Sequence, residues 1–341
     1  MNKKIPINDP HLSIEYCPGT LAKGFNTYSP TCLKRIFNGR KVSHILPYST
    51  PQNEKNAKEF IENRKRISIS GVQEKASLLL DKNKLRLTKE GEQGTYILKP
   101  IPRDLKKDDQ VPANEHLTMQ IARQIYKIQT AENALIFFNN SEPAYISKRF
   151  DVKEDGSKLA VEDFASLAGK TAEIIGDNFK YDFSYEEMAE LIKKYMPAYL
   201  IEIEKFYSIV VFNYLFSNSD AHLKNFAIRE SIAGDYLLSP AYDLINTRIH
   251  VDDSDFALNK GLFKDGFRST TWQKTGHPGL EDFKEFAKRI GIKENRINKI
   301  LNPFLERQAK VEHLINCSFL DKYIKKAYLL DYNTRRNRLN K

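Results

Sequence analysis

The chain has 341 residues, 41% of them hydrophobic and 29% charged, with a formal net charge of +10. That length suits two or three packed units around a sizeable core, and the composition is ordinary for a globular protein, which excludes a disordered or collagen-like chain. No apolar run of about 18 residues occurs, so no membrane-spanning helix is expected, and the basic start MNKKIPINDPHLSIEY has no apolar stretch behind it and does not read as a secretory signal.

Three cysteines, Cys17, Cys32 and Cys317, form an odd and sparse set. They argue against a disulfide framework and fit a reducing cytoplasm. The positive balance suits an anionic partner, but Lys and Arg are spread along the whole chain and read mainly as a solvated surface. The tail RRNRLNK is the densest basic block and reads as a frayed helix end.

Residues 1–60 mix short apolar pieces with Pro6, Pro10, Pro18, Pro30, Pro47 and Pro51. They read as loops and short helices wrapped around a later domain. The stretch STPQNEKNAKEFIENRKR, 49–66, opens on capping residues and turns into a charged helical connector. From Ser68 the pattern changes. ASLLLD, KLRLT and TYILKP are short, alternating and bounded by turn residues, as strands of a small antiparallel sheet are. PANEHLTMQIARQIYKI, 112–128, has a proline at its start and apolar residues at helical spacing, so it reads as a helix. ALIFFNN and PAYISKRFD read as two more strands.

After about residue 160 the chain turns helical. SYEEMAELIKKY opens on a capping box, Ser184 with Glu187 three residues later. PAYLIEIEKFYSIVVFNYLFSN reads as a long core helix, FAIRE and GDYLLSP as a hairpin, and roughly 280–334 as three further helices. The order predicts an α+β, two-lobed, protein-kinase-like fold. Its parts are an N-terminal wrapping and connector segment (1–67), a β-rich lobe (68–155) and a helical lobe (156–341). The site is expected in the cleft between lobes.

The residues able to carry phosphoryl transfer fall in the order such an enzyme needs. SNSDAHLKN, 217–225, sets Asp220 and Asn225 five residues apart just after the apolar run. That spacing lets the Asp point at a substrate hydroxyl while the Asn turns back to a metal ion. Past the hairpin, PAYDLIN offers Asp243 as a second oxygen ligand, and oxygen ligands suit Mg²⁺. Upstream, Lys99 ends a strand and Glu115 follows on the next helix, where the two could pair. Earlier still, SISGVQEK is a polar loop with Gly71 between two strands, a candidate phosphate lid. Each feature alone has a structural explanation in turns, caps or solvation. The ordered set across a β-to-helical change points to phosphoryl transfer.

The strings SISGVQEKASLLL, YILKP, NEHLTMQIA, YISKRFD, VEDFASLAG, NYLFSNSDAHLKNFAI and LSPAYDLI together resemble the HipA family of bacterial serine/threonine kinase toxins. The resemblance runs from about residue 68 to 245. It implies ATP and Mg²⁺ as cofactors, with Asp220 as proton acceptor and Asn225 and Asp243 as metal ligands. It implies Lys99 and the segment Ser70, Gly71, Val72, Gln73, Glu74 and Lys75 at the phosphates. Lys148, Arg149 and Phe150 would lie along the adenine, and His222, Leu223, Lys224 and Tyr242 would line the same nucleotide site. Ser68 matches the family's autophosphorylated serine, with Ser70 a second candidate.

Two departures sharpen the resemblance. The chain before Ser68 is shorter than in a full HipA toxin, which implies the HipT branch, whose missing subdomain is a separate HipS protein. In CPGTLAKGFNTYSPTCLKRIF, related chains carry Cys-x-x-Cys and His-x-x-Cys where this one has Cys17, Thr20, Ser29 and Cys32. Two thiolates do not make a closed structural zinc site, so none is expected. Implied partners are a HipB-like DNA-binding antitoxin, a HipS-like protein and an aminoacyl-tRNA synthetase as substrate. The alternative is a docking module, a co-repressor acting on an antitoxin–operator complex with catalysis secondary, its basic charge serving DNA phosphates.

Overall fold

The computed structural model describes residues 14–50, 75–102, 105–176, 178–252 and 254–341. Its β-rich lobe is a five-stranded sheet of order β2-β1-β3-β5-β4, antiparallel throughout. The strands are β1 (Ala76–Asp81), β2 (Lys84–Leu87), β3 (Tyr96–Lys99), β4 (Asn133–Phe137) and β5 (Pro143–Lys148).

Every residue of β4 is buried, because both faces of the sheet are covered. Alternation sends Ala134 and Ile136 into one core with Tyr28, Ile36, Phe37 and Leu46 of the N-terminal segment. It sends Leu135 and Phe137 into the larger core that holds the helices. The N-terminal segment is thus a layer of this lobe. Its helix α1 (Pro30–Phe37) starts where Ser29 Oγ accepts from Cys32 N and proline takes the first position. Residues 44–46 bond to β4 through Phe137 N to His44 O at 2.8 Å and Leu46 N to Phe137 O at 2.7 Å.

Helix α2 (Val111–Gln124) lies across the other face, buried from Val111 to Ala122. It carries Leu117, Met119, Ile121 and Ala122 into the same core as the helical lobe, and so joins the two lobes.

In the helical lobe, short helices α3 (Phe164–Leu167) and α4 (Ala172–Ile175) lead to α5 (Tyr185–Tyr195) and α6 (Tyr199–Leu215). The α5 capping box is complete: Glu187 N donates to Ser184 Oγ at 3.1 Å and Ser184 N to Glu187 Oε2 at 2.8 Å. Helix α6 buries Phe206, Tyr207, Val211, Phe212 and Leu215 almost fully, each such apolar side chain contributing about 1.5–3 kcal/mol. The hairpin of β7 (Ala227–Glu230) and β8 (Tyr236–Leu238) gains a third strand, β6 (Val161–Asp163), on its open side.

After α7 (Thr270–Thr275), four helices rather than three complete the lobe: α8 (Leu280–Arg289), α9 (Glu294–Leu305), α10 (Ala309–Cys317) and α11 (Lys322–Leu339). The basic tail is not frayed. Helix α11 stays wound to Leu339, and Arg335 is only 2% exposed, ion-paired with Asp255 and stacked 5.0 Å over the Tyr214 ring. A buried partner for one arginine turns a basic surface run into a packed end. Among the described residues no helix is long and apolar enough to cross a membrane.

Candidate active site

Lys99 ends β3, a strand with a neighbour on each side, directly opposite Tyr145 of β5. Its ammonium lies 5.4 Å from the Tyr145 ring centre and is 5% exposed with its residue. A lysine cannot stay charged there unpaired. Glu115, the fifth residue of α2, answers it with Oε1 at 2.7 Å from Lys99 Nζ. Asp243 adds a second, still shorter contact from the helical lobe.

Burial alone would push the Lys99 ammonium down, but the charges of Asp243 and Glu115 outweigh it and hold it above the ordinary lysine range. Burial likewise opposes ionisation of Asp243, and Lys99 and Lys75 overcome it, holding that carboxyl below the usual range. Glu115 keeps a raised value because its burial is the larger effect. Asp243 also has a left-handed backbone, φ 55, a conformation costing an aspartate on the order of 1 kcal/mol. The helical lobe holds it there: Asn218 Nδ2 donates to Asp243 O at 3.3 Å and Asn225 Nδ2 to Asp243 Oδ2 at 3.2 Å.

The loop after α6 turns at Ser217, φ 53, where Asn218 N returns to Asn213 O at 2.8 Å. A tight turn follows, with His222 N donating to Asp220 O at 2.8 Å and to Asn225 Oδ1 at 3.3 Å. This folds Asn225 back toward Asp243 and leaves Asp220 facing outward, its side chain 53% exposed. Tyr181 Oη, from a turn before α5, donates to Asp220 Oδ1 at 2.9 Å. The wall around Asp220 raises its pKa by desolvation, against the Tyr181 hydrogen bond and the charge of Lys180. His222 lies edge-on to Tyr181, ring centres 5.2 Å apart. Burial, seconded by Lys180, pulls its pKa down to about 3, so the imidazole is neutral at physiological pH.

Lys99, Glu115, Asn225 and Asp243 are therefore brought together, with Asp220 on the rim. Asp243 offers a hard carboxylate oxygen at this point, while Asn225 meets it through Nδ2 and spends Oδ1 on His222 N. The pair fits Mg²⁺, with phosphates and water completing the shell, once the Asn225 carboxamide turns its oxygen to the ion. No group of three or more His, Cys, Asp or Glu suited to a metal exists among the described residues, so the two side chains would hold such an ion only in company with a phosphate-bearing ligand.

Phe150 and Tyr242 lie side by side, ring centres 5.8 Å apart, and Tyr242 Oη donates to Lys224 O at 2.9 Å. Leu223 is buried in the same core. Lys224 pairs with Asp163, Arg149 with Asp151, and Lys148 Nζ with Asn38 Oδ1, so these three charges are each committed to a neighbour. Ser68, Ser70, Gly71, Val72, Gln73 and Glu74 lie outside the described residues, and Lys75 is at the edge of them. Away from the cleft, Ser29 Oγ sits 3.4 Å from Cys17 Sγ and 3.3 Å from Thr20 Oγ1, and accepts from Cys32 N at 3.2 Å, so those four positions do gather.

Sequence reasoning missed Tyr181, Asn218 and the buried Asn114. None sits at a spacing that marks a role, and each acts across 25 to 132 positions of chain.

A β-rich lobe and a helical lobe meeting at a lysine, two carboxylates and an Asp-x-x-x-x-Asn loop define a kinase-like protein. The chain belongs to the HipA-like C-terminal domain family, a family of HipA-like kinases, whose model matches residues 67–311. A Haemophilus influenzae protein named "Putative kinase" is 27% identical over 336 residues, covering 92% of each chain. A Sinorhizobium fredii protein, "Putative kinase Y4mE", is 27% identical over 260 residues, which is 72% of this chain and 57% of that one. Among solved structures, the HipA of the Shewanella oneidensis MR-1 toxin–antitoxin system, solved with HipB and its operator DNA, superposes with a TM-score of 0.63. Its identity is 19%, covering 86% of this chain and 74% of that one, a likeness of fold.

Proposed function

We propose that the protein is an ATP- and Mg²⁺-dependent serine/threonine protein kinase acting as the toxin of a toxin–antitoxin pair. The observation that carries this is the convergence of Lys99, Glu115, Asp243 and Asn225 on one point of the cleft, with Asp220 half exposed beside it. ATP would supply the phosphoryl group and Mg²⁺ would neutralise its developing charge. Lys99 orients phosphate oxygens and is itself held by Glu115. Asp243 would present a carboxylate oxygen to the ion, and Asn225 its amide oxygen once turned from His222 N. Asp220 accepts the proton of the incoming hydroxyl, and its exposure suits a macromolecular acceptor.

The finer assignments rest on the family resemblance. They are the HipT branch with a HipS-like companion, a HipB-like antitoxin, an aminoacyl-tRNA synthetase as target, and autophosphorylation at Ser68 or Ser70. Arg64, Lys65 and Arg66 directly precede those serines and would attract a phosphate out of the nucleotide's place. A docking role alone would leave a buried lysine with two carboxylates, and a strained Asp243, without purpose. Incubation with γ-labelled ATP and Mg²⁺ tests the reading: self-labelling by the wild type and none by Asp220→Asn is expected. Absence of transfer to itself or to a cell extract, across divalent ions, overturns it.

A further inference from the structure

Asn114 is fully buried one residue before Glu115, and beyond one long contact inside α2, from Thr118 Oγ1 to its Oδ1 at 3.3 Å, its carboxamide bonds away from the helix. Its Nδ2 donates to Asn246 O at 2.8 Å, and Asn246 N donates back to Asn114 Oδ1 at 3.2 Å. This is a two-way clasp of the kind one strand makes with another, between a side chain and a backbone three residues past Asp243. The second Nδ2 hydrogen points at His250 Nε2, 2.9 Å away, while His250 Nδ1 lies 2.9 Å from Lys106 O. Only one assignment satisfies every contact. His250 is neutral, donates from Nδ1 to the carbonyl and accepts at Nε2, and a turned amide would set donor against donor at Asn246 N.

We infer that Asn114 is a positioning residue for the metal-binding carboxylate, locking the segment 243–246 to the helix that carries Glu115. Asp243 is held on its other side by Asn218 through its carbonyl. Two amides, one from each lobe, thus bracket a residue whose left-handed backbone would otherwise relax. The inference rests on the kinase reading for the identity of the ion but not for the geometry. A buried clasp whose donors and acceptors are all used has one arrangement rather than several. It therefore sets where Asp243 Oδ2 sits relative to Asn225 before any ligand arrives.

The test compares full-length wild type, Asn114→Ala, Asn114→Asp and Thr118→Val. Thr118 Oγ1 bonds Asn114 O at 2.9 Å and Tyr328 Oη at 2.8 Å and lies 3.3 Å from Asn114 Oδ1. Thr118→Val therefore removes buried hydrogen bonds of the same helix, one of them a long contact to the carboxamide, and leaves both Asn246 bonds in place. Mn²⁺ binding is read by electron paramagnetic resonance with a non-hydrolysable ATP analogue present, and the Mg²⁺ half-saturation of phosphoryl transfer and the melting temperature are measured alongside. Both Asn114 variants should weaken Mn²⁺ binding about 10- to 100-fold and raise the Mg²⁺ requirement, while Thr118→Val lowers the melting temperature without moving either. Asn114→Asp keeps the shape but cannot donate to Asn246 O, so it separates hydrogen bonding from packing. If Asn114→Ala does not fold, His250→Gln, which removes the imidazole contacts and leaves both Asn246 bonds in place, should give a smaller rise in the same constant.

Unchanged Mn²⁺ affinity in the folded Asn114 variants overturns the inference while leaving the kinase reading intact. A wild type that binds Mn²⁺ with the analogue but transfers no phosphate overturns the kinase reading, and the ratio of variant to wild-type Mn²⁺ affinity still decides the role of Asn114. A wild type with no saturable Mn²⁺ binding overturns the inference as well.

Discussion

Lys99 and Asp220 share one cleft and lie at opposite extremes of burial. Lys99 is 5% exposed, with Glu115 at 3%, whereas the Asp220 side chain is 53% exposed. In the first region Lys99 is answered by Glu115 within its own lobe and by Asp243 across the cleft. In the second, the Asp220 carboxylate takes a hydrogen bond from Tyr181 and keeps an open side. The difference matches what each half must do. Handling phosphate charge is most effective where water is excluded and the opposing charges are already set. Receiving a hydroxyl from a second macromolecule requires a carboxylate that the macromolecule can reach.

The largest effect that would sharpen this contrast is expected at the open end. Asp220→Asn should cut phosphoryl transfer about 10²- to 10⁴-fold while leaving the melting temperature close to wild type, because a half-exposed side chain holds little of the fold together. Initial-rate labelling and a thermal melt read both. Near-normal turnover would remove Asp220 from its role.

At the closed end the sign of the trade reverses. Lys99→Met leaves Glu115 and Asp243 facing each other without a counter-charge, and should cost about 3–5 kcal/mol of stability as well as activity. Urea unfolding measures it, and an unchanged midpoint would break the comparison.

The third expectation concerns acid. Asp243 is held below its ordinary value of 3.8, so its contribution to stability is present above that pH and is lost as pH falls through the lower folded value. Lys99 is the mirror image, its contribution complete below 10.5 and lost only as pH climbs through the higher folded value. Glu115, raised by burial, works against stability from just above its ordinary value of 4.5 upward. Wild type should therefore lose stability below pH 4 more steeply than Lys99→Met, in which Asp243 no longer has its lysine. Equal slopes in pH-dependent unfolding would count against the pairing.

The smallest effect is at Tyr181. Asp220 must be ionised to accept a proton, so turnover falls as pH drops through its raised pKa. Tyr181→Phe removes the hydrogen bond that opposes that rise, so the acid limb should move to higher pH, with the plateau rate falling about 2- to 10-fold. A pH–rate profile with an unmoved limb would show that Tyr181 does not tune the carboxylate.

Much of this was legible in the chain itself. The Ser184–Glu187 capping box, the strand at ALIFFNN and the Asp220–Asn225 spacing are local patterns, and the structure contains each of them. The basic tail misled because composition reports charge and not partners: Arg335 finds Asp255 eighty positions away. Pro303 sits inside α9, and only residues 306–308 separate α9 from α10, so apolar spacing alone read three helices where four stand.

The amino-acid order by itself determined the β-then-helical layout and which residues could do chemistry. Periodicity, caps and loop spacing are set within a few neighbours of the chain. Only the tertiary structure decided that Lys99 and Asp243 meet, that Asn114 grips Asn246, and that Tyr181 covers Asp220. Those contacts span 144, 132 and 39 positions. They form because burying the two cores brings the lobes together, and a polar group caught in that burial must find its partner wherever the fold places one.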